Sequence, residues 1–462
     1  MAGAFASAIF LLDGGLAALI NFMNTDLIII GAGAAGLFAA CGAADAGLKA
    51  VLLERRHRAG LKLLMCGNNR CNLSHAGNAE DLLRAYGPPV RDFLDDALRA
   101  LPPTELQRWL QMRLGLHTKV LGNRIYPASE KGDDVLHAFL DHLRDRDFPV
   151  IYSAPAEEIQ RVDGGYRVNT PNFSLETRCL LLAIGGFSYP RTGSVGDGEP
   201  FGRMLGIPFE EPRAGLVGLS LPARHPIAQL PTATDLPEVT VGVPGLPAIT
   251  GNLLIENGVL RGAAIFDLTR LAARQRHEDF RLSIDFFPQE TAEQLARRYQ
   301  TLLSRTGQPR IALNALGLPP MLAEALARDG VDAAGLKDYR PGDLRPRPLK
   351  EAIVTVGGLS RSAFDPATMQ CRSLPGLYAA GEVLDIDGPT GGYNLHAAFA
   401  TAHLAILHLV KTLRQSPSQS ARQRSACASP DAPRRPRRSG DAKDPRKSAW
   451  GKHFWDGKRP MR

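Results

Sequence analysis

Cysteine is scarce. The 462 residues hold six, at positions 41, 66, 71, 179, 371 and 427, with no regular spacing. That excludes a disulfide-stapled secreted framework and suits a reducing, cytoplasmic setting. Long apolar runs are scarcer still. The one candidate is "AFASAIFLLDGGLAALINF", residues 4–22. It lacks a basic leading region, is broken by Asp13-Gly14-Gly15, and is short for a bilayer span. No stable membrane association is expected. Met23 opens "MNTDLIIIGAGAAG" and is the expected initiator, with residues 1–22 as an extension. A membrane-associated N-terminus is the rival reading. Acidic residues are thin at the other end. From Lys411 to Arg462 there are fifteen Lys and Arg against four Asp and Glu, a net of +11 in a chain whose total is +8. The body is therefore slightly acidic, and the basic character belongs to a tail, 414–462. Its Ser, Pro, Arg and Lys composition reads as disordered.

What remains is ample for a core. Hydrophobic residues make up 44% of the chain, and its length suggests roughly three domains. "DLIIIGAGAAGLFAACGAADAGLKAVLLE" reads as strand, glycine turn, Ala-rich helix and second strand. Gly31, Gly33 and Gly36 form Gly-x-Gly-x-x-Gly, with Ala34 and Ala35 inside it. The first glycine permits a tight turn, the second a close approach to a pyrophosphate, and the third helix–strand packing. Glu54, with Arg55 after it, ends the second strand where a carboxylate would meet a ribose hydroxyl. The expected ligand is a dinucleotide.

Residues 80–150 read as mainly helical, with turns at Pro88-Pro89 and Pro102-Pro103. "CLLLAIGG" is a buried strand ending at Gly185 and Gly186. From about Phe187 to Asp285 the chain is rich in Pro, Gly and β-branched residues, which suggests a β-barrel-like insertion. Residues 289 to about 340 turn helical, with Ala292, Leu295, Ala296, Tyr299, Leu302 and Leu303 on one face. α/β character returns at "EAIVTVGGL" and "PGLYAAGEVLD". In the latter, Gly381 and Glu382 suit a second contact with FAD. "GPTGGYNLHAAFATA" then enters a long helix whose N-terminus would favour negative charge on a flavin. Thr390, Gly391, Gly392, Tyr393 and Asn394 mark that entry.

"GAGAAG", "GLKLLMCGNNRCN", "IGGFSYPRTGSVGDG" and "PGLYAAGEVLDIDGPTGGYNLHAAFATA" together resemble the BaiN/YhiN-type flavoproteins. The resemblance runs from about Met23 to Leu413. It implies an α/β, glutathione-reductase-like FAD-binding Rossmann domain (23–190 and 346–413) with a β-barrel-like insertion (191–288) and a helical insertion (289–345). Members have been linked to dihydrouridine synthesis in 23S ribosomal RNA, oxidation of aminoacetone, and reduction of bile-acid-type steroid enones. Two stretches depart from the family pattern. "SGGGRCN" is "CGNNRCN" here, and asparagine tolerates the positive φ that glycine takes. "FTHxGLSGP" is reduced to "IENGVLRGA", with Asn257 for the histidine and Arg261 for the serine.

Three readings of "GLKLLMCGNNRCNLSH" compete. A metal clip lacks a second ligand pair nearby. A redox disulfide fits the C-x4-C spacing, but such enzymes carry a second complete nicotinamide-binding unit, and no second Gly-x-Gly-x-x-Gly occurs here. The favoured reading is the floor of a cofactor pocket, with Lys62 and Asn72 near the flavin and Cys71 facing substrate as the proton donor. Lys62 would polarise the carbonyl or hold charge on the flavin. His396 is a further possible pocket residue. NAD(P)H is expected to dock transiently. The first expected function is reduction of uridine to dihydrouridine in 23S rRNA, with the basic tail aiding RNA binding. A small-molecule flavoenzyme, amine oxidase or enone reductase, is the alternative. A non-enzymatic, RNA-associated FAD protein is the third.

Overall fold

The computed structural model describes residues 9–10 and 25–415. Met23, the rest of the 1–22 extension and the tail beyond Gln415 lie outside the described residues.

Thr25–Ile30 and Ala50–Leu53 pair in parallel, from Leu27↔Ala50 to Ile30↔Leu53, and the helix Ala34–Asp45 joins them. Leu27 to Ile30 and all of Ala50–Leu53 are buried. A strand covered on both faces reads as a continuous aliphatic run, which is why neither alternates. Val150–Ile151 extends one side of this sheet in parallel, and Ser174–Leu182 the other. Leu377–Ala379 then pairs in parallel with Leu180–Leu182. That last pairing brings the C-terminal motif beside the N-terminal one. The strands ending at Ile30, Leu53, Leu182 and Ala379 share one carboxyl edge, where open α/β sheets place their ligands.

The chain leaves and re-enters this layer through an antiparallel pair, Phe209–Gly215 with Val354–Leu359. Between them lies a six-stranded sheet built on Thr234–Gly242, Ile249–Glu256 and Val259–Arg261. The segment read as a β-barrel-like insertion also contains a helix, Ala263–Arg274. Its buried Ala264, Ile265, Leu268 and Ala272 recur at helical spacing. The helices Ala292–Thr306, Pro309–Ala315, Pro320–Arg328 and Ala333–Lys337 follow. Leu295 and Tyr299 are buried in the same apolar cluster as Val239, Val241 and Leu253, so the six-stranded sheet and the helices share one core. Ala292, expected on the buried stripe, is exposed in the first turn after a Thr291–Gln294 capping box.

Two further details differ from the sequence expectation. Pro88 and Pro103 begin helices rather than interrupt them, because the first helical position needs no N–H. Residues 118–127 form a hairpin within the stretch read as helical.

His396 sits fully buried in the helix Tyr393–Gln415. Its Nε2–H donates to the Leu101 carbonyl at 2.7 Å, so Nδ1 accepts from the Ser74 hydroxyl, also at 2.7 Å. Burial lowers its pKa to about 4. The neutral ring therefore stabilises the fold above the unfolded pKa of 6.5, and that contribution is lost as pH falls towards about 4. Urea titrations are expected to show up to about 3 kcal/mol of this acid sensitivity, and His396→Gln should flatten it.

Candidate functional site

At the carboxyl edge Gly31 takes φ +100°, and a Cβ there would stand 2.5 Å from the Ala183 carbonyl oxygen. A Cβ on Gly36 would stand 1.8 Å from the Gly31 oxygen, so Gly36 serves packing and is not in the cavity wall. Gly33 is different. Nothing lies within 4 Å of its would-be Cβ, which opens onto a cavity of about 920 Å³. Ala34 and Ala35, in the first turn of the helix, line it too. First-turn amides have no intrahelical acceptor and suit an anion. Glu54 stands beside them, its oxygens accepting from Ala32 N–H at 2.8 Å and Arg56 N–H at 2.7 Å. Burial raises its pKa and these donors oppose the rise. Arg55 pairs with Asp197 at 3.0 Å on the same wall.

The next wall is a polar knot. Lys62 Nζ donates to Ser188 Oγ at 2.6 Å and pairs with Glu382. The Glu382 carboxylate also accepts from the Ser188 hydroxyl at 3.0 Å and from Thr355 N–H at 2.8 Å. Gly185 lies against Ser194, and Gly381, at φ +74°, lies against Ala35. The Gly67–Cys71 loop behaves as its asparagines suggest: Gly67, Asn68, Asn69 and Cys71 all take positive φ, 55° to 65°. It delivers Asn72 into the cavity wall.

Thr390 gives its N–H and its hydroxyl to Asp267, at 2.7 and 3.0 Å. Asp267 belongs to the helix Ala263–Arg274, so this clamp ties the inserted segment to the glycine turn. Burial raises the Asp267 pKa. Gly391 and Gly392 follow at φ +113° and +99°. A Cβ on Gly392 would stand 2.4 Å from the Ser74 carbonyl carbon and 2.8 Å from Asn72 Oδ1. Asn394 also borders the cavity, but its amide brackets the Gly388 backbone, accepting at 2.7 Å and donating at 2.8 Å.

Three expected pocket residues are not in the cavity wall. Cys71 is fully buried in the apolar core, and burial pushes its thiol well above the usual range. The left-handed turn at Cys71 delivers Asn72, not the thiol, to the cavity. The thiol that lines it is Cys66. Tyr393 stacks on His75 with ring centres 4.7 Å apart, and its carbonyl accepts from the Tyr86 hydroxyl at 2.9 Å. His396 is locked as described. Cys71→Ala is accordingly expected to keep turnover within about twofold while lowering stability by about 1 kcal/mol, checked by steady-state kinetics and urea unfolding. Ser188, Thr355 and Asp267 did not stand out in the sequence. Only the fold, by closing 62, 188, 355 and 382 on one point, reveals the first two.

The arrangement fits FAD on its own terms. Asn72 Oδ1 is buried without a hydrogen-bond partner among the described residues, beside the Gly391-Gly392 turn. An acceptor without a donor invites a ligand N–H or O–H. The glycine turn, the helix amides and Glu54 suit the pyrophosphate and ribose. The description "HI0933-like protein Rossmann domain" matches residues 25–407. The chain belongs to the HI0933-like family. It is an FAD-dependent oxidoreductase with an FAD-binding Rossmann fold. Curated relatives of this HI0933-like chain include a 3-dehydro-bile acid delta(4,6)-reductase of Clostridium scindens, 28% identical over 82% of this chain and 97% of that protein. A ribosomal RNA dihydrouridine synthase of Escherichia coli is 25% identical over 82% of this chain and 96% of its own length. Another of that name, from Haemophilus influenzae, is 24% identical over 83% and 98%. Among the described residues no helix is long and apolar enough to cross a membrane, and no group of three or more His, Cys, Asp or Glu could hold a metal ion.

Proposed function

We propose that this protein reduces a carbon–carbon double bond conjugated to a carbonyl, with NAD(P)H as donor and a uridine of 23S rRNA as substrate. FAD held as above would supply the hydride. Gly31, Gly33 and Glu54 would hold its adenosine and pyrophosphate half. Asn72, Lys62 and the Gly391-Gly392 turn would hold its flavin half. The cavity's second half carries the reading. It runs off the Rossmann layer onto Asn252, Leu254, Glu256, Arg261 and Phe266 of the inserted segment. Arg70, Arg261 and Arg347 on this wall are paired with acids, whereas Arg124 and Lys350, which also line it, have no ion pair among the described residues. Free cations at a cavity wall favour a substrate carrying phosphates. Two relatives named for dihydrouridine synthesis support the same substrate. The cationic tail composition is consistent with it.

One observation favours a second substrate. Leu216, Leu254, Phe266 and Ile353 give this wing apolar surface that a polycyclic enone could cover. The bile-acid reductase relative is consistent with that. Both substrates present the same bond to be reduced. Anaerobic mixing decides between them. Enzyme reduced with NADPH is expected to regain oxidised-flavin absorbance on addition of unmodified 23S rRNA, and to regain it far more slowly with a steroid 4-en-3-one. The reverse order would move the assignment to the small molecule. Reoxidation by neither would overturn enone reduction altogether.

A further inference from the structure

With the Cys71 thiol in the core, the reaction needs another source for the proton that follows the hydride. We propose that Tyr189 is that source, its phenol O–H protonating the carbon next to the substrate carbonyl. The assignment rests on the reading above.

The cavity offers few groups with a mobile proton. Lys62 is held by Ser188 and Glu382. Tyr126 is 2% exposed, with the Arg70 guanidinium 4.9 Å from its ring centre. The Cys66 thiol faces the Asn72 carbonyl at 3.8 Å, and burial raises its pKa. Tyr189 lines the same cavity, and its hydroxyl makes no hydrogen bond among the described residues. It lies in the electrostatic reach of Arg261 and Glu351, two wall residues of the inserted segment. The phenol therefore belongs where the flavin half and the substrate half meet.

The backbone there is fixed with unusual care. Tyr189 takes φ +53° and ψ +61°, a left-handed conformation that bulky side chains avoid. Such strain persists only where neighbours over-determine it, and it concentrates at functional sites. Here Thr192 gives both its N–H and its hydroxyl to the Tyr189 carbonyl, at 2.8 and 2.7 Å. Arg56 donates to the Pro190 carbonyl at 2.9 Å. Ser188, fully buried, is fastened to Lys62 and Glu382. Ser188 is thus tied to the cavity wall, and Pro190 to Arg56, the residue after Arg55 of that wall.

The chemistry balances. Reduced FAD, when bound, would supply a hydride, two electrons and one hydrogen, to the carbon remote from the carbonyl. The C=C π bond breaks, and its electrons pass onto the carbonyl as an enolate. The Tyr189 O–H bond then breaks as a C–H bond forms at the α carbon, restoring the carbonyl. The phenolate recovers a proton from water. NAD(P)H supplies the two electrons for the next cycle. Burial pushes the Tyr189 pKa up, keeping the phenol protonated at neutral pH, while Arg261 acts the other way and stabilises the phenolate as it forms.

Tyr189→Phe in the full-length holoprotein is the test, with Cys66→Ser beside it. Three quantities are read: flavin reduction by NADPH, flavin reoxidation by whichever of 23S rRNA or a steroid 4-en-3-one reoxidises wild type, and the dissociation constant of the saturated product, from its perturbation of the oxidised flavin spectrum. For Tyr189→Phe, reduction and product affinity should stay within about threefold of wild type while reoxidation falls by roughly 10² to 10⁴. Reoxidation within about fivefold of wild type would overturn the assignment and leave the proposed function standing. So would a loss confined to Cys66→Ser. Wild-type enzyme that neither substrate reoxidises would remove the function, and the assignment with it.

Discussion

Gly33→Val is expected to leave the cofactor-free fold as stable as wild type and to lower FAD affinity by at least about a hundredfold, some 2.7 kcal/mol. The two halves of that result have separate causes. Gly33 sits at φ −82° and ψ −167°, ordinary extended backbone that valine adopts without strain. Its would-be Cβ meets nothing within 4 Å, so the apo protein has room for the side chain. That room is the space a pyrophosphate must enter to reach the helix amides. Gly36→Ala makes the contrast, because its methyl group would press on the Gly31 carbonyl oxygen at 1.8 Å. It should damage stability and binding together. Flavin-to-protein ratio after purification and cofactor-free thermal melting separate the cases. A Gly33→Val chain that still carries stoichiometric FAD would contradict the cradle.

Glu382→Leu is expected to cost about 2 kcal/mol of stability, with Lys62→Met in the same chain restoring most of it. Removing the carboxylate strands the Lys62 ammonium, the Ser188 hydroxyl and the Thr355 N–H together. The side chains of Lys62 and Glu382 are 25% and 20% exposed, so water screens part of the charge and the cost falls below that of a fully buried pair. In the double variant no charge is left to strand. Urea midpoints of the two single variants and the double variant give the coupling. Strictly additive losses would mean that the knot has no shared energy.

The strand, glycine-turn and helix side of the cavity was legible because its constraints are local. A strand, three glycines at fixed spacing and an acid about twenty residues on must fold next to one another. Their order in the chain is their order in space. The parallel strands were legible for a similar reason: Leu27–Ile30 and Leu180–Leu182 are apolar on both faces. The opposite wall was harder, because it is assembled from positions some three hundred residues apart. Glu382 could be read from its motif, but not its partners Ser188 and Thr355. Cys71 was misread because residue type was visible and backbone hand was not. Four residues of positive φ between Gly67 and Cys71 turn the thiol inward and Asn72 outward. The helix Ala263–Arg274 was hidden by the glycines and β-branched residues around it. With it went Asp267, the clamp on Thr390.

Dihydrouridine in 23S rRNA is the most direct readout of the central claim. Nucleoside mass spectrometry would compare rRNA from a strain lacking this gene with rRNA from the same strain carrying the wild-type chain or Gly33→Val. One dihydrouridine absent from the deletion, restored by the wild type and not by Gly33→Val, is the predicted result. Unchanged dihydrouridine in the deletion strain would contradict it.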